Sequence, residues 1–137
     1  MIDTIALAAI LTFAKPEPTQ CTNPLVHRLE AAGFQGQNLK EAWAIAMRES
    51  GGNPRAISST GDYGLFQINR AAHQDSPLWI EDKMLDGRYN AKVAAHFSQR
   101  GKNWSAWDIS GDGKWLGRYT PRSVYNKFVD WLGKYPC

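Results

Sequence analysis

Apolar residues recur at helical spacing along much of the chain, and Gly and Pro mark where each run starts and stops. Asn23-Pro24 reads as a helix start, with Asn as cap and Pro in the first turn. Leu25, Leu29 and Ala32 follow on one face, and Gly33 ends the run. A second helix is expected after Asn38. Leu39, Trp43, Ala46 and Met47 form its apolar face, and Gly51-Gly52 stops it. Helical spacing returns after Gly87, with Tyr89, Val93, Ala94 and Phe97 on one side as far as Gly101. Ser105 to Ile109 reads as a short helical turn. A last helix has Thr120 as cap, Pro121 as opener, Val124, Phe128, Trp131 and Leu132 as its core face, and Gly133 as its end. The spacing fails over residues 53–69. Pro54, Gly61 and Gly64 there interrupt the β-prone pieces Tyr63 and Leu65-Phe66-Gln67-Ile68, which predicts a small irregular hairpin. The expected class is α+β, mostly α, with one small β wing.

The ends of the chain add a domain plan. Residues 2–14 read IDTIALAAILTFA, and the apolar run from Ile5 to Ala14 is too short to span a bilayer as a helix. Its length suits a signal-peptide core, with Thr12 and Ala14 as small residues near a cleavage point. Asp3, however, stands where Lys or Arg is expected, so a retained extension is the alternative. Lys15-Pro16-Glu17-Pro18-Thr19-Gln20 has linker composition. Residues 1–20 are therefore expected to be leader and linker, and residues 21–137 a single domain.

The net charge of +3 suits encounter with polyanions. Lys and Arg are scattered, without a basic run or a nucleic-acid motif, so a nucleic-acid partner is not expected. The two cysteines, Cys21 and Cys137, lie near the ends of the expected domain, as a disulfide or as two free thiols. A disulfide would imply an oxidising compartment. Without a CxxC pattern or a dense His/Cys cluster, neither metal nor cofactor is expected. His27, His73 and His96 lack partners at a nucleophile-like spacing and read as surface or core. Asp108-Ile109-Ser110-Gly111-Asp112-Gly113 begins like a calcium loop, but Tyr119 stands where a bidentate Glu is needed, so a turn is the reading.

Glu49 carries the chemical interest, although a helix-end Glu taken alone reads as a solvated surface residue. It sits in the last turn of the second helix, where the negative end of the helix dipole disfavours a carboxylate. Partial burial would disfavour the charge further and raise the pKa. A carboxylic acid that stays protonated near neutral pH is what general-acid catalysis requires. Twelve residues on begins Gly61-Asp62-Tyr63-Gly64-Leu65-Phe66-Gln67-Ile68-Asn69.

Glu49-Ser50-Gly51 followed by Gly64-Leu65-Phe66-Gln67-Ile68 resembles the pattern of soluble lytic transglycosylases in the lysozyme superfamily. Asp62-Tyr63-Gly64 with Gln67-Ile68-Asn69 is similar to the stretch of chicken-type lysozymes that bears their second catalytic carboxylate. Asn90-Ala91-Lys92 and the Trp104/Trp107 pair resemble the helix and tryptophans that close the cleft in both groups. The resemblance spans about residues 38–108. It implies a lysozyme-like fold with a cleft beside a β wing, and cleavage of peptidoglycan glycan strands at the β-1,4 bond between N-acetylmuramic acid and N-acetylglucosamine. Glu49 would be the acid and Asp62 the second carboxylate of a hydrolase, a division of roles for which lysozymes are the type case. In a transglycosylase Asp62 is dispensable, and as a bare turn residue it would have no role at all. Ser50, Tyr63, Gln67, Asn69, Trp104 and Trp107 are the expected substrate-side residues. Ser50 would orient the acid or bond the helix end, and Trp104 would press on Glu49 while Trp107 fills the core.

The chain departs from both groups. The Glu49–Asp62 segment is shorter than in chicken-type lysozymes, and their several disulfides are missing. Soluble lytic transglycosylases usually lack an Asp at position 62. A non-catalytic wall-binding or virion structural protein on the same fold is the rival class, although such relatives usually lose the acid. The implied setting is extracytoplasmic, for a secreted enzyme or a phage virion component, as a monomer or as part of a particle, with no stable membrane span.

Overall fold

The computed structural model describes residues 21–137, so the leader and linker expected at residues 1–20 lie outside the described residues. Helix α1 runs Pro24–Ala31. Asn23 caps it as expected: its side chain accepts from the Val26 amide at 3.1 Å, and Pro24 occupies the first turn. Helix α2, Gly36–Ser50, begins earlier than the sequence suggests, with Gln35 as an N-cap that makes no side-chain bond. It ends at Gly51, whose φ of 64° is the left-handed conformation glycine adopts without penalty. Its core face is broader than the predicted stripe, since Leu39 and every residue from Ala42 to Ala46 are buried.

The wing is smaller than the β-prone run suggested. Strands β1 (Asp62–Tyr63) and β2 (Ile68–Asn69) pair antiparallel, with Asp62 opposite Asn69 and Tyr63 opposite Ile68. Leu65 and Phe66 are not in a strand. They form the turn and drive fully buried side chains into the core. A one-turn helix α3, Arg70–His73, follows directly, capped by the Asn69 side chain. Helix α4 spans Gly87–Phe97, capped by Asp86, and a 3-10 turn holds Ser105–Trp107. Helix α5 runs Arg122–Leu132 and packs chiefly on α2, where Trp43 meets Trp131 and Tyr135 edge-on. Pro121, not Thr120, occupies its N-cap, because the Thr120 hydroxyl is committed elsewhere, to Asp108 at 3.0 Å. Cys21 and Cys137 form a disulfide that ties the start of the domain to its end. Among the described residues no helix is long and apolar enough to cross a membrane.

One buried side chain fixes the wing to the helices. Asn90 of α4 is fully buried; its Oδ1 accepts from the Phe66 amide at 3.0 Å, and its Nδ2 donates to the Tyr63 and Met84 carbonyls at 2.8 and 3.0 Å. Gly64 leaves room for it. With φ at 76°, a Cβ there would stand 2.4 Å from the Asn90 amide nitrogen. Asn90→Leu keeps the branching and heavy-atom count but strands these backbone groups, each unpaired one costing about 1–3 kcal/mol. Urea denaturation should show a loss of roughly 3 kcal/mol. A change below about 1 kcal/mol would mean that the wing is held by other contacts.

Candidate functional site

Between the wing, the end of α2 and the 3-10 turn lies a groove of about 610 Å³. Glu49 enters it from the last turn of α2, and Asp62 from β1. Gln67, Asn69 and Trp107 also line it, so five of the expected residues meet in one place.

Glu49 is largely enclosed, its side chain 23% exposed. Burial pushes its carboxyl above the ordinary value. The Arg48 guanidinium beside it pulls the other way, through charge and a hydrogen bond, and the negative charge of Asp62 pushes it up again. The net direction is upward. Arg48, which carries no distinguishing signal in the sequence, is 1% exposed. Its Nη2 donates to Glu49 Oε1 at 2.8 Å and to the Trp107 carbonyl at 3.0 Å. The guanidinium therefore fixes both the acid and the turn that carries Trp107.

Asp62 has the opposite environment. Burial pushes its carboxyl up, but hydrogen bonds from Ser58, Thr60 and Asn69 outweigh burial and hold it below its ordinary value. The hydroxyls of Ser58 and Thr60 each donate to Oδ2 at 2.6 Å, and the Asn69 amide donates to Oδ1 at 3.0 Å. All three donors are local. The Gly61 turn folds residues 58–60 back over Asp62, and strand pairing sets Asn69 opposite it. The groove thus holds two carboxyls pushed in opposite directions.

Several expected substrate-side residues stand elsewhere. Tyr63, next to Asp62 on a strand, points to the other face. Its ring meets Trp79 edge-on and its hydroxyl donates to Glu81 at 3.3 Å, so it is not part of the groove lining. Ser50 does not orient the acid. Its hydroxyl lies 3.0 Å from the Ala46 carbonyl and 2.9 Å from that of Leu65, joining the helix end to the wing. Trp104 is a core residue, stacked near-parallel on Phe34 and Phe66 and away from the groove lining. Trp107 is buried in the core, as expected, and also lines the groove beside Glu49; its indole N–H donates to the Phe66 carbonyl at 2.9 Å. Gln67 lines the groove, yet its Nε2 is occupied by the carbonyls of Ala56 and Gly64. Asn69 is equally committed, to Asp62, to the Thr60 carbonyl and as the cap of α3.

The groove also includes residues that the sequence did not single out for it. His73 and Phe97 stack on each other at 4.6 Å along one wall, and Tyr119 and Thr120 line another. Phe97 read as a core position of α4, and His73 as surface or core. Local spacing offered no signal for either, because α3 and α4 bring them together from distant parts of the chain.

Helices gathered around a two-stranded wing, with a groove between them, make this a lysozyme-like α+β fold. The chain belongs to the Lysozyme like domain family, whose model matches residues 27–109, more than half of its length. That membership ties it to peptidoglycan-related lytic chemistry. No curated protein and no solved structure matches the chain significantly.

Proposed function

We propose that the protein cleaves peptidoglycan glycan strands as a muramidase, with Glu49 as general acid. The observation that carries this reading is the pair of unlike carboxyls, Glu49 and Asp62, on one groove of a lysozyme-like domain. Glu49 donates its proton to the oxygen of the β-1,4 bond that leaves N-acetylmuramic acid. The C1–O bond breaks, and positive charge develops on the sugar ring. Asp62, held ionised by its three donors, stabilises that charge. Arg48 steadies the Glu49 carboxylate that remains. Water then adds at C1 and returns a proton to Glu49, which restores the acid.

Three donors draw electron density from Asp62 and leave it a poor nucleophile. Charge stabilisation is accordingly a better role for it than a covalent adduct. The same observation favours a second reading, lytic transglycosylation. There the sugar's own 6-hydroxyl attacks C1, Glu49 serves first as acid and then as base, and a 1,6-anhydro end results. Mass spectrometry of digested wall separates the two: the muramidase leaves reducing ends, and the transglycosylase leaves anhydro-muramic ends.

The pH profile follows from the two directions. The active form has Glu49 protonated and Asp62 ionised. As pH falls through the lowered Asp62 value, activity is lost; as pH rises through the raised Glu49 value, it is lost again. The dependence of kcat/KM on pH should be a bell, its acid limb below the ordinary Asp value and its alkaline limb above the ordinary Glu value. Asp62→Asn should abolish the acid limb and slow the reaction. Full activity in that variant would remove Asp62 from the chemistry.

The disulfide fits an extracytoplasmic setting, in keeping with a wall substrate. We place the protein there as a secreted enzyme or as part of a phage particle, with residues 21–137 as the catalytic domain.

A further inference from the structure

The family match ends at residue 109, yet Tyr119 and Thr120, past that point in the sequence, also line the groove. Its added wall is the loop from Ser110 to Pro121, which delivers Tyr119 and Thr120. This loop is heavily braced. Asp108 is buried, and its carboxylate accepts from the Arg118 amide at 2.9 Å, the Thr120 amide at 3.1 Å and the Thr120 hydroxyl at 3.0 Å. The Trp115 indole donates to the Thr120 carbonyl at 2.9 Å, and the Leu116 amide donates to the Asp108 carbonyl at 3.0 Å. Tyr125 of α5 holds the tip through the Gly113 carbonyl at 2.7 Å.

Both chain neighbours of Tyr119 are thus clamped, while Tyr119 itself stays 67% exposed. It is the most exposed of the large apolar side chains among the described residues, and it lies on the groove. The Arg118 guanidinium sits 5.3 Å from the ring centroid and braces one face, which leaves the other open. An aromatic ring held out of the core at the edge of a groove supplies a large rigid contact area with little conformational entropy to lose on binding. Its match is the C–H face of a pyranose.

We propose that Tyr119 is the stacking platform of an additional sugar-binding subsite, which takes an N-acetylated hexose of the glycan strand beyond the pair of sugars flanking the cleaved bond. The subsite rests on the muramidase reading for the identity of its ligand, but not on the chemistry at Glu49. Stacking there contributes to holding long strands and is irrelevant to fragments too short to reach it.

The test uses the full chain and measures binding, by calorimetry or NMR titration, of long and disaccharide-sized fractions of solubilised peptidoglycan glycan to Glu49→Gln. Adding Tyr119→Ala should weaken the Kd for long strands roughly threefold to tenfold and leave disaccharide binding unchanged. Tyr119→Phe and Tyr119→Trp, which keep a stacking ring, should retain the affinity. Tyr119 is exposed, so the Ala variant keeps its core, and an unchanged near-ultraviolet spectrum verifies this. Long strands bound equally well by the Ala variant would overturn the subsite, as would failure of the parent Glu49→Gln to bind any strand. Wall cleavage undiminished by Glu49→Gln, alongside weakened binding on Tyr119→Ala, would instead discard the acid assignment and keep the subsite.

Discussion

Glu49→Gln should reduce turnover of purified wall by about a hundredfold to ten-thousandfold, the usual contribution of a positioned general acid. Gln keeps the shape and can still accept from Arg48 Nη2 through its amide oxygen, so the local geometry should persist. What it cannot do is release a proton to the glycosidic oxygen. The loss should therefore fall on kcat, with little change in the binding of strands. Activity within threefold of the parent enzyme would place the acid on another residue.

The largest effect on stability should come from the Cys21–Cys137 disulfide. Its sequence separation is 116 residues, and its Cα atoms lie 5.4 Å apart, within the usual span. In the chain-entropy model, a cross-link over that length removes freedom from the unfolded chain worth about 4–5 kcal/mol. Replacing both cysteines by Ser should lower the melting temperature by on the order of 15 °C. Neither cysteine lines the groove, so activity well below the new transition should persist. A melting point that moves by less than about 3 °C would show that α5 docks on α2 without the covalent tie.

Some of this architecture can be read from local sequence because local chemistry produces it. Asn23-Pro24 starts α1 through a cap and a preset φ, and Gly51 ends α2 because the chain must turn left-handed there. Glu49 is a different case: a Glu in the last turn of a helix is ordinarily a solvated residue, and it is the Gly61–Asn69 stretch with its family resemblance that singles it out. Other features depend on contacts made far along the chain. Thr120 resembles a helix cap, but Asp108, distant in sequence, claims its hydroxyl and passes the cap position to Pro121. Leu65-Phe66 has strand composition, yet the demand of the core for those two side chains makes the segment a turn. Trp104 and Trp107 look alike in the sequence. The 3-10 turn directs Trp104, expected against Glu49, into the Phe34–Phe66 stack, while Trp107, buried as expected, also reaches the groove wall.

Arg48 shows the same limit more sharply. In sequence it is one more charged residue near a helix end. Its importance comes from burial between the acid and the Trp107 carbonyl, which only the docking of residues 104–108 onto α2 creates. Tyr119 is another such case, since its exposure matters only because Asp108 fixes the loop on either side of it.

The most direct measurement is the titration of the Glu49 carboxyl itself, followed by NMR on the side-chain carbon of labelled protein. A midpoint displaced upward from that of an ordinary glutamate, moving further up when Arg48 is replaced by Met, is the predicted result. A midpoint at or below the ordinary value would leave an anion where the chemistry needs a proton, and Glu49 could not be the donor.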